Sequence, residues 1–372
     1  MAAGGGSVRT TRFFENLEIP AAFRSLSLNS LRQYYNCETL TMRMNKIRES
    51  ISYVRENWVE NQGFVDTFFS CFKEIGSGTV ISDKIKRISN HPRKWNEYEE
   101  NILGFDMIRL YTSDEGYAKI FSCLNSIFRA NDSTDDSGLI SLCVIIIEML
   151  NIDLFFYCKL YPHISGFSGI VYRGMVLKHD DVNSFENLLS RPIKDRYIAI
   201  PLGLMSTTKN LDIAKEFSTK KDSNDKTAVI LKIHVLNMKP ELLQLYTERF
   251  NSVVSTICAV DIEGLSECPE EKEVLLRGPF FQVISCSDLE ENSPTRVFDL
   301  LMVNSNRDHI STSELGVKSD QARKLFSVLT AVTRYEFAVT ICQSKGLVND
   351  CEEYKSAFIS SKKLLAEITE EA

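Results

Sequence analysis

From Ala21 to Ile75 the pattern of apolar side chains is helical, recurring every three or four positions. Leu40, Met44, Ile47, Ile51, Val54 and Trp58 form one stripe, and Phe64, Val65, Phe68, Phe69 and Phe72 follow it. That period predicts amphipathic helices, with the aromatic positions serving as core. Gly76-Ser77-Gly78 breaks the pattern, and Ser89-Asn90-His91-Pro92 marks a boundary near residue 90. Helix is expected again over Tyr98 to Leu110, and over 116–130 with Asp114 as its cap. A third stretch runs from about residue 138 to 160, after the polar loop 131–138.

The pattern then changes to short apolar runs bounded by Gly, Pro, Asn and Asp. They are 169–175, 197–200, 202–208, 227–235, 255–260, 273–278, 280–286 and 296–303. Their length and their β-branched and aromatic content predict strands. One helix is expected among them, Leu211 to Thr219, capped by Asn210. From Ser319 a helical face returns in Leu325, Val328, Leu329, Val332, Tyr335 and Val339, and a further helix is expected from Glu353 to Ile368. Helices first and strands afterwards predict an α+β fold. The divisions expected are a Gly-rich, basic, disordered tail at 1–15, a helical N-terminal region at 16–92, a main domain at 93–305 and a helical C-terminal extension at 306–372.

Composition narrows the class without changing this outline. The chain has 372 residues, 44% hydrophobic and 25% charged, with a net charge of −7. Mild acidity argues against nucleic acid or an anionic membrane as the main partner. The most apolar segment, Leu139 to Leu150, is shorter than the roughly 20 residues that cross a bilayer and is interrupted by Glu148, so a buried helix is expected there and no membrane span. The first 20 residues have no apolar core, which predicts no cleaved secretory signal. Ten cysteines and five histidines show no metal-ligand or redox spacing, so reduced thiols, a cytoplasmic setting and no metal are expected. Delivery by a route that uses no cleavable signal fits the same features.

Three places carry candidate chemistry. In Tyr172-Arg173-Gly174-Met175 a guanidinium follows apolar strand residues. It suits bidentate capture of a phosphate, and the glycine lets a ligand approach the backbone. In Ser206-Thr207-Thr208 three hydroxyls precede a helix and suit hydrogen bonding to a ribose and to nearby carboxylates. In Pro269 to Leu276 two acids, Glu271 and Glu273, sit two apart. If the strand begins at Glu271, both point to one face. Each feature alone suits an ordinary strand-end turn better than a ligand site.

Taken in this order and spacing, the three resemble the Arg-Ser-Glu class of mono-ADP-ribosyltransferases, the clostridial-toxin-like group that includes the arginine-specific enzymes. The matching residues are YRGM at 172–175, MSTT with AKEFS at 205–218, and PEEKEVLL at 269–276, preceded by VDIEGLSECPE. The stretch EENILGFDMIRLYTSDEGYAKI also resembles the helix pair before the first motif strand in eukaryotic members. The resemblance covers roughly residues 95–305. It departs from the usual Ser-Thr-Ser triplet in having Thr208 as the last hydroxyl.

The resemblance implies an ADP-ribosyltransferase-like split β-sandwich core with helical extensions at both ends. It implies NAD as co-substrate, no metal, and a protein substrate carrying an acceptor arginine, with the oligomeric state left open. By it, Arg173 would hold the NAD phosphates and Gly174 would lie beside the nicotinamide. Ser206, with Thr207 beside it, would contact the nicotinamide ribose and position the acid. Glu273 would bond the ribose 2′-hydroxyl, and Glu271 would engage the acceptor. An NAD glycohydrolase on the same site and a catalytically silent NAD-binding or interaction module are the alternatives.

Overall fold

The computed structural model describes residues 104–113, 116, 137–199, 204–218, 225–250, 258–277, 279–290, 293–305 and 319–370. The tail expected at 1–15, the helical region expected at 16–92 and nearly all of the helix expected over 116–130 lie outside these residues.

Among the described residues three helices lead in: α1 (Asp106–Thr112), α2 (Ser137–Leu160) and α3 (Pro162–Ser165). Then follow β1 (Gly169–Lys178), α4 (His179–Leu188), β2 (Tyr197–Ala199), β3 (Leu204–Thr208), α5 (Leu211–Phe217), β4 (Lys226–Leu236), α6 (Pro240–Phe250), β5 (Ala259–Asp261), β6 (Glu273–Arg277), β7 (Phe280–Asp288) and β8 (Arg296–Val303). The helices α7 (Ser319–Ser344) and α8 (Val348–Glu370) follow. Each apolar run read from the sequence overlaps a strand. The expectation of a single interrupting helix is corrected, because α4 and α6 are present as well. In α4, Val182, Phe185 and Leu188 bury a helical stripe, and in α6, Tyr246 and Phe250 do the same. Asn210 caps α5 as its residue type predicts, its side chain accepting from the Asp212 N–H at 2.9 Å.

The strands form one mixed sheet in the order β2-β7-β8-β4-β1-β3-β6-β5. Among the described residues only β4 and β8 run parallel; the other pairs are antiparallel. The β1–β4 ladder runs from Gly169↔Val235 to Lys178↔Lys226, whereas β1 and β3 meet at a single pair, Tyr172↔Thr208. The sheet therefore divides there into a five-stranded and a three-stranded part. Four strands stand between β8 and β5, a distance of about 24 Å in a flat sheet. Yet Asn304, just past β8, bonds both the N–H and the carbonyl of Ala259 in β5, at 2.9 and 3.2 Å. The two parts must fold over each other to allow this. One core lies between them, joining Val229, Leu231, Ile233, Phe298 and Leu300 to Ala259, Val274 and Leu276.

The other face of the five-stranded part is covered by the C-terminal helices. Leu301 and Ile284 pack with Cys342, Cys351 and Tyr354, and Val303 packs with Leu325, Phe326 and Leu329. Strands buried on both faces read as continuous apolar runs, which explains RVFDLLMV in β8. The described part of the C-terminal extension is thus the second cover of the sheet. Its polar fasteners are Lys345 on the buried Asp299 at 2.7 Å and Arg196 paired in fork geometry with Asp350 at 2.8 and 3.0 Å. Arg334 lies over the rings of Tyr197 and Phe280 at 4.9 and 5.7 Å from their centres. Asp350→Ala leaves the buried Arg196 guanidinium without its carboxylate. The expected loss is about 2 kcal/mol in denaturant unfolding, below the roughly 3–5 kcal/mol of a fully buried pair because Asp350 is 24% exposed.

Among the described residues α7 has the length and hydropathy of a bilayer span, but half of that stretch is buried against the fold. In α2, Asp153 sits in an apolar helix for a structural reason. Its buried carboxylate accepts from the Met107 N–H at 2.9 Å, in the first turn of α1, which has no capping side chain of its own.

Candidate active site

The three motif segments lie side by side where the sheet divides. Tyr172 of β1 pairs with Thr208 of β3, and Thr208 pairs with Glu273 of β6. Every site residue predicted from the sequence lies within a few positions of that line.

Arg173 follows Tyr172 in β1. Its side chain is buried, 5% exposed, and its Nη1 donates to the Ser206 carbonyl. Among the described residues its Nε and Nη2 have no hydrogen-bond partner. A buried donor left unmade costs about 1–3 kcal/mol, so two on one guanidinium are a standing cost that an anion with two oxygens would remove. Burial pulls the guanidinium below its ordinary pKa, with Tyr111 of α1 and Glu273 opposing that pull. A phosphate fits this donor set.

Gly174 is next, and the absence of a side chain there makes room for a helix. A Cβ built on it would stand 1.7 Å from the Ala214 carbonyl oxygen and 2.9 Å from the Ser218 N–H nitrogen. The space beside this glycine is filled by α5, so the close approach it permits is that of a helix to a strand.

The hydroxyl run also divides its work. Thr207 is buried, and its Oγ1 donates to the Val274 carbonyl at 2.6 Å. Thr208 Oγ1 donates to the Glu271 carbonyl at 2.6 Å and accepts from the Asn210 N–H at 2.9 Å. Both fasten β3 to its neighbour. Ser206 differs because it shares a sheet face with Thr208 and therefore with Glu273, across the β3–β6 ladder. Its hydroxyl bonds the Glu273 carboxylate.

Glu273 opens β6 and is 5% exposed. Burial pushes its pKa up to about 7; the Ser206 hydrogen bond pulls it back, the charge of Glu271 adds to the rise and Arg173 opposes it. The expectation that Glu271 and Glu273 share a face by strand alternation is corrected. Glu271 ends a 3₁₀ turn, Pro269–Glu271, and the intervening Lys272 is left-handed at φ 49°, so the two-residue period does not apply. The acids are close enough to couple electrostatically, but a turn sets Glu271.

The segment leading to that turn is fastened on three sides. Lys209 Nζ bridges Asp261 at 2.7 Å and Glu263 at 2.5 Å. The Glu267 N–H donates to Thr112 Oγ1 of α1 at 3.0 Å, and the Ile262 N–H donates to the Glu273 carbonyl at 3.1 Å. Lys209 was missed in the sequence, since a lysine after a hydroxyl run has no distinguishing pattern. A cavity of about 690 Å³ lies elsewhere, between α4, α5, the start of β4 and the β7–β8 connection, and none of Arg173, Ser206, Glu271 or Glu273 lines it. Among the described residues no group of three or more His, Cys, Asp or Glu is placed to hold a metal ion.

No protein-family model matches the chain, and no curated protein sequence matches it. The solved structures to which it is similar include the Vis toxin, an ADP-ribosyltransferase from Vibrio splendidus, at 15% identity and a TM-score of 0.31 over 56% of this chain and 76% of that one. The ADP-ribosyltransferase HopU1 of Pseudomonas syringae pv. tomato is 20% identical at a TM-score of 0.31, over 49% and 64% of the two chains. The C3 exoenzyme of Clostridium limosum is 16% identical at 0.33, over 54% and 84%. These superpositions are partial and distant.

Proposed function

We propose that the chain is a mono-ADP-ribosyltransferase that moves ADP-ribose from NAD to an arginine side chain of a protein and releases nicotinamide. The observation that carries this reading is one juncture in the sheet. There a buried guanidinium with two donors unmatched among the described residues stands beside a buried carboxylate that a serine hydroxyl bonds. A dinucleotide pyrophosphate supplies the oxygens Arg173 lacks.

In the reaction the bond between the ribose C1′ and the nicotinamide nitrogen breaks, and its electron pair leaves with the nicotinamide, which becomes neutral. Positive charge develops at C1′ as in glycoside cleavage. Glu273, ionised, opposes that charge from a fixed position in a dry site, where it acts more strongly on the transition state than on the ground state. A guanidine nitrogen of the acceptor then bonds to C1′ and gives up one proton to water, so the product guanidinium keeps its charge. Glu271, on its turn at the rim, is assigned to hold the acceptor guanidinium through paired hydrogen bonds.

Glu271→Gln separates the two halves of this assignment. With labelled NAD and an arginine peptide, the variant should lose transfer by about a hundredfold while NAD hydrolysis stays within a few-fold of the parent. Equal loss of both would remove Glu271 from the acceptor side, and a parent chain that neither cleaves nor binds NAD would end the transferase reading.

A further inference from the structure

Lys209 is the residue after the hydroxyl run, and it touches both ends of the segment 261–272. Its Nζ sits between the carboxylates of Asp261 and Glu263, at 2.7 and 2.5 Å. Its backbone N–H donates at 3.1 Å to the carbonyl of Lys272, the described non-glycine residue with positive φ. That conformation costs an L-residue roughly 1–2 kcal/mol, so something must hold it. The neighbouring Thr208 hydroxyl grips the Glu271 carbonyl from the same side. One dipeptide at the end of β3 thus fixes where the segment leaves β5 and where it turns back into β6. Glu271 is the last residue of the turn between those anchors.

We infer that Lys209 is a positioning residue for the acceptor. By pinning the 261–272 segment at both ends it holds Glu271 at the reacting centre and so favours transfer to a guanidinium-bearing side chain over attack by water. The inference rests on the transferase reading above. Lys209 itself is not placed on NAD or on the acceptor, and its side chain, 26% exposed, is turned to the two loop carboxylates. Burial disfavours its charge, and the bonds to Asp261 and Glu263 outweigh that, which keeps the ammonium charged. A partly exposed ion pair of this kind adds on the order of 0–1 kcal/mol to stability. Its removal should therefore leave the chain folded, and its effect should be read in the loop and in the partition of product.

The test is Lys209→Met in the full chain, with Lys209→Arg beside it. Hydrogen exchange of the 263–268 amides, measured without NAD, should quicken several-fold in the Met variant while β6 stays protected. With labelled NAD and agmatine as a small guanidine acceptor, the ratio of transfer to hydrolysis should fall about tenfold, with hydrolysis itself within about twofold of the parent. Lys209→Arg keeps the cation and should restore most of the ratio. An unchanged ratio, an equal fall in both activities, or unaltered exchange at 263–268 would each overturn the positioning role while leaving the transferase reading intact. A parent chain without NAD cleavage would overturn both together.

Discussion

Glu273→Gln should lower NAD cleavage by at least about a hundredfold, roughly 3 kcal/mol in the barrier, and at the same time make the fold more stable above neutral pH. The two effects have one cause. Burial, with the charge of Glu271 added, pushes the Glu273 carboxyl up to about 7 from the ordinary 4.5. Below about pH 4.5 the acid is protonated both in the folded and in the unfolded chain, and the full stability is present. Between about 4.5 and 7 the folded chain keeps a proton that the unfolded chain has released, so stability falls as pH rises and levels off above 7. The sum is on the order of 3 kcal/mol. Glutamine resembles the protonated acid at all pH values. Denaturant unfolding should therefore find the variant and parent alike near pH 4.5 and the variant about 3 kcal/mol more stable at pH 8. On the proposed reading activity runs the other way, since transfer needs an ionised Glu273. In the free enzyme, kcat/KM for NAD should climb about tenfold per pH unit to a plateau above 7, and Glu271→Gln should move that midpoint down. Equal stability of parent and variant at pH 8 would mean that Glu273 is not buried as described, and an activity flat from pH 5.5 to 8.5 that it is not the reacting carboxylate.

The parts of this site that are local were legible in the sequence, and the parts that are not local were hidden. Arg173 beside a glycine, a hydroxyl run before a capped helix and an acid opening an apolar run each have a signature within a few residues. The pairs Tyr172↔Thr208 and Thr208↔Glu273 have none, because they join positions 36 and 65 apart in the chain. The order of three weak motifs stood in for that geometry. Strand alternation does not extend from Glu273 to Glu271 across Lys272, and a lysine gives no sign of the left-handed conformation that Gly or Asn would signal. The hydroxyl run suits a ribose by residue type, yet the Thr207 and Thr208 hydroxyls donate to the backbone carbonyls of Val274 and Glu271. The C-terminal helices were separable in sequence because their periodicity differs from that of the strands. Their role as the second cover of the sheet follows only from which faces of β7 and β8 they bury.

Gly174→Ala should destabilise the fold by at least roughly 3 kcal/mol, at or above the upper end of overpacking costs. An added methyl at most buried sites meets the end of a flexible side chain, which can turn away. Here it meets backbone, the Ala214 carbonyl oxygen at 1.7 Å and the Ser218 nitrogen at 2.9 Å, so α5 as a unit must retreat from β1. That retreat is constrained, because α5 is joined through Asn210 and Lys209 to Thr208, whose hydrogen bonds hold the turn bearing Glu271. Gly174→Ala should therefore show a lowered thermal midpoint, and its residual folded fraction should have lost the preference for transfer over hydrolysis. Gly264→Ala is the matched control. There the nearest atom to a new Cβ is the Tyr157 hydroxyl oxygen at 3.9 Å, an ordinary contact, and stability should hardly move. If instead Gly174 serves a ligand's approach, its alanine variant will fold with an unchanged midpoint and lose only NAD affinity. Thermal unfolding and NAD titration on the two variants distinguish a glycine kept for helix-on-strand packing from one kept for the dinucleotide.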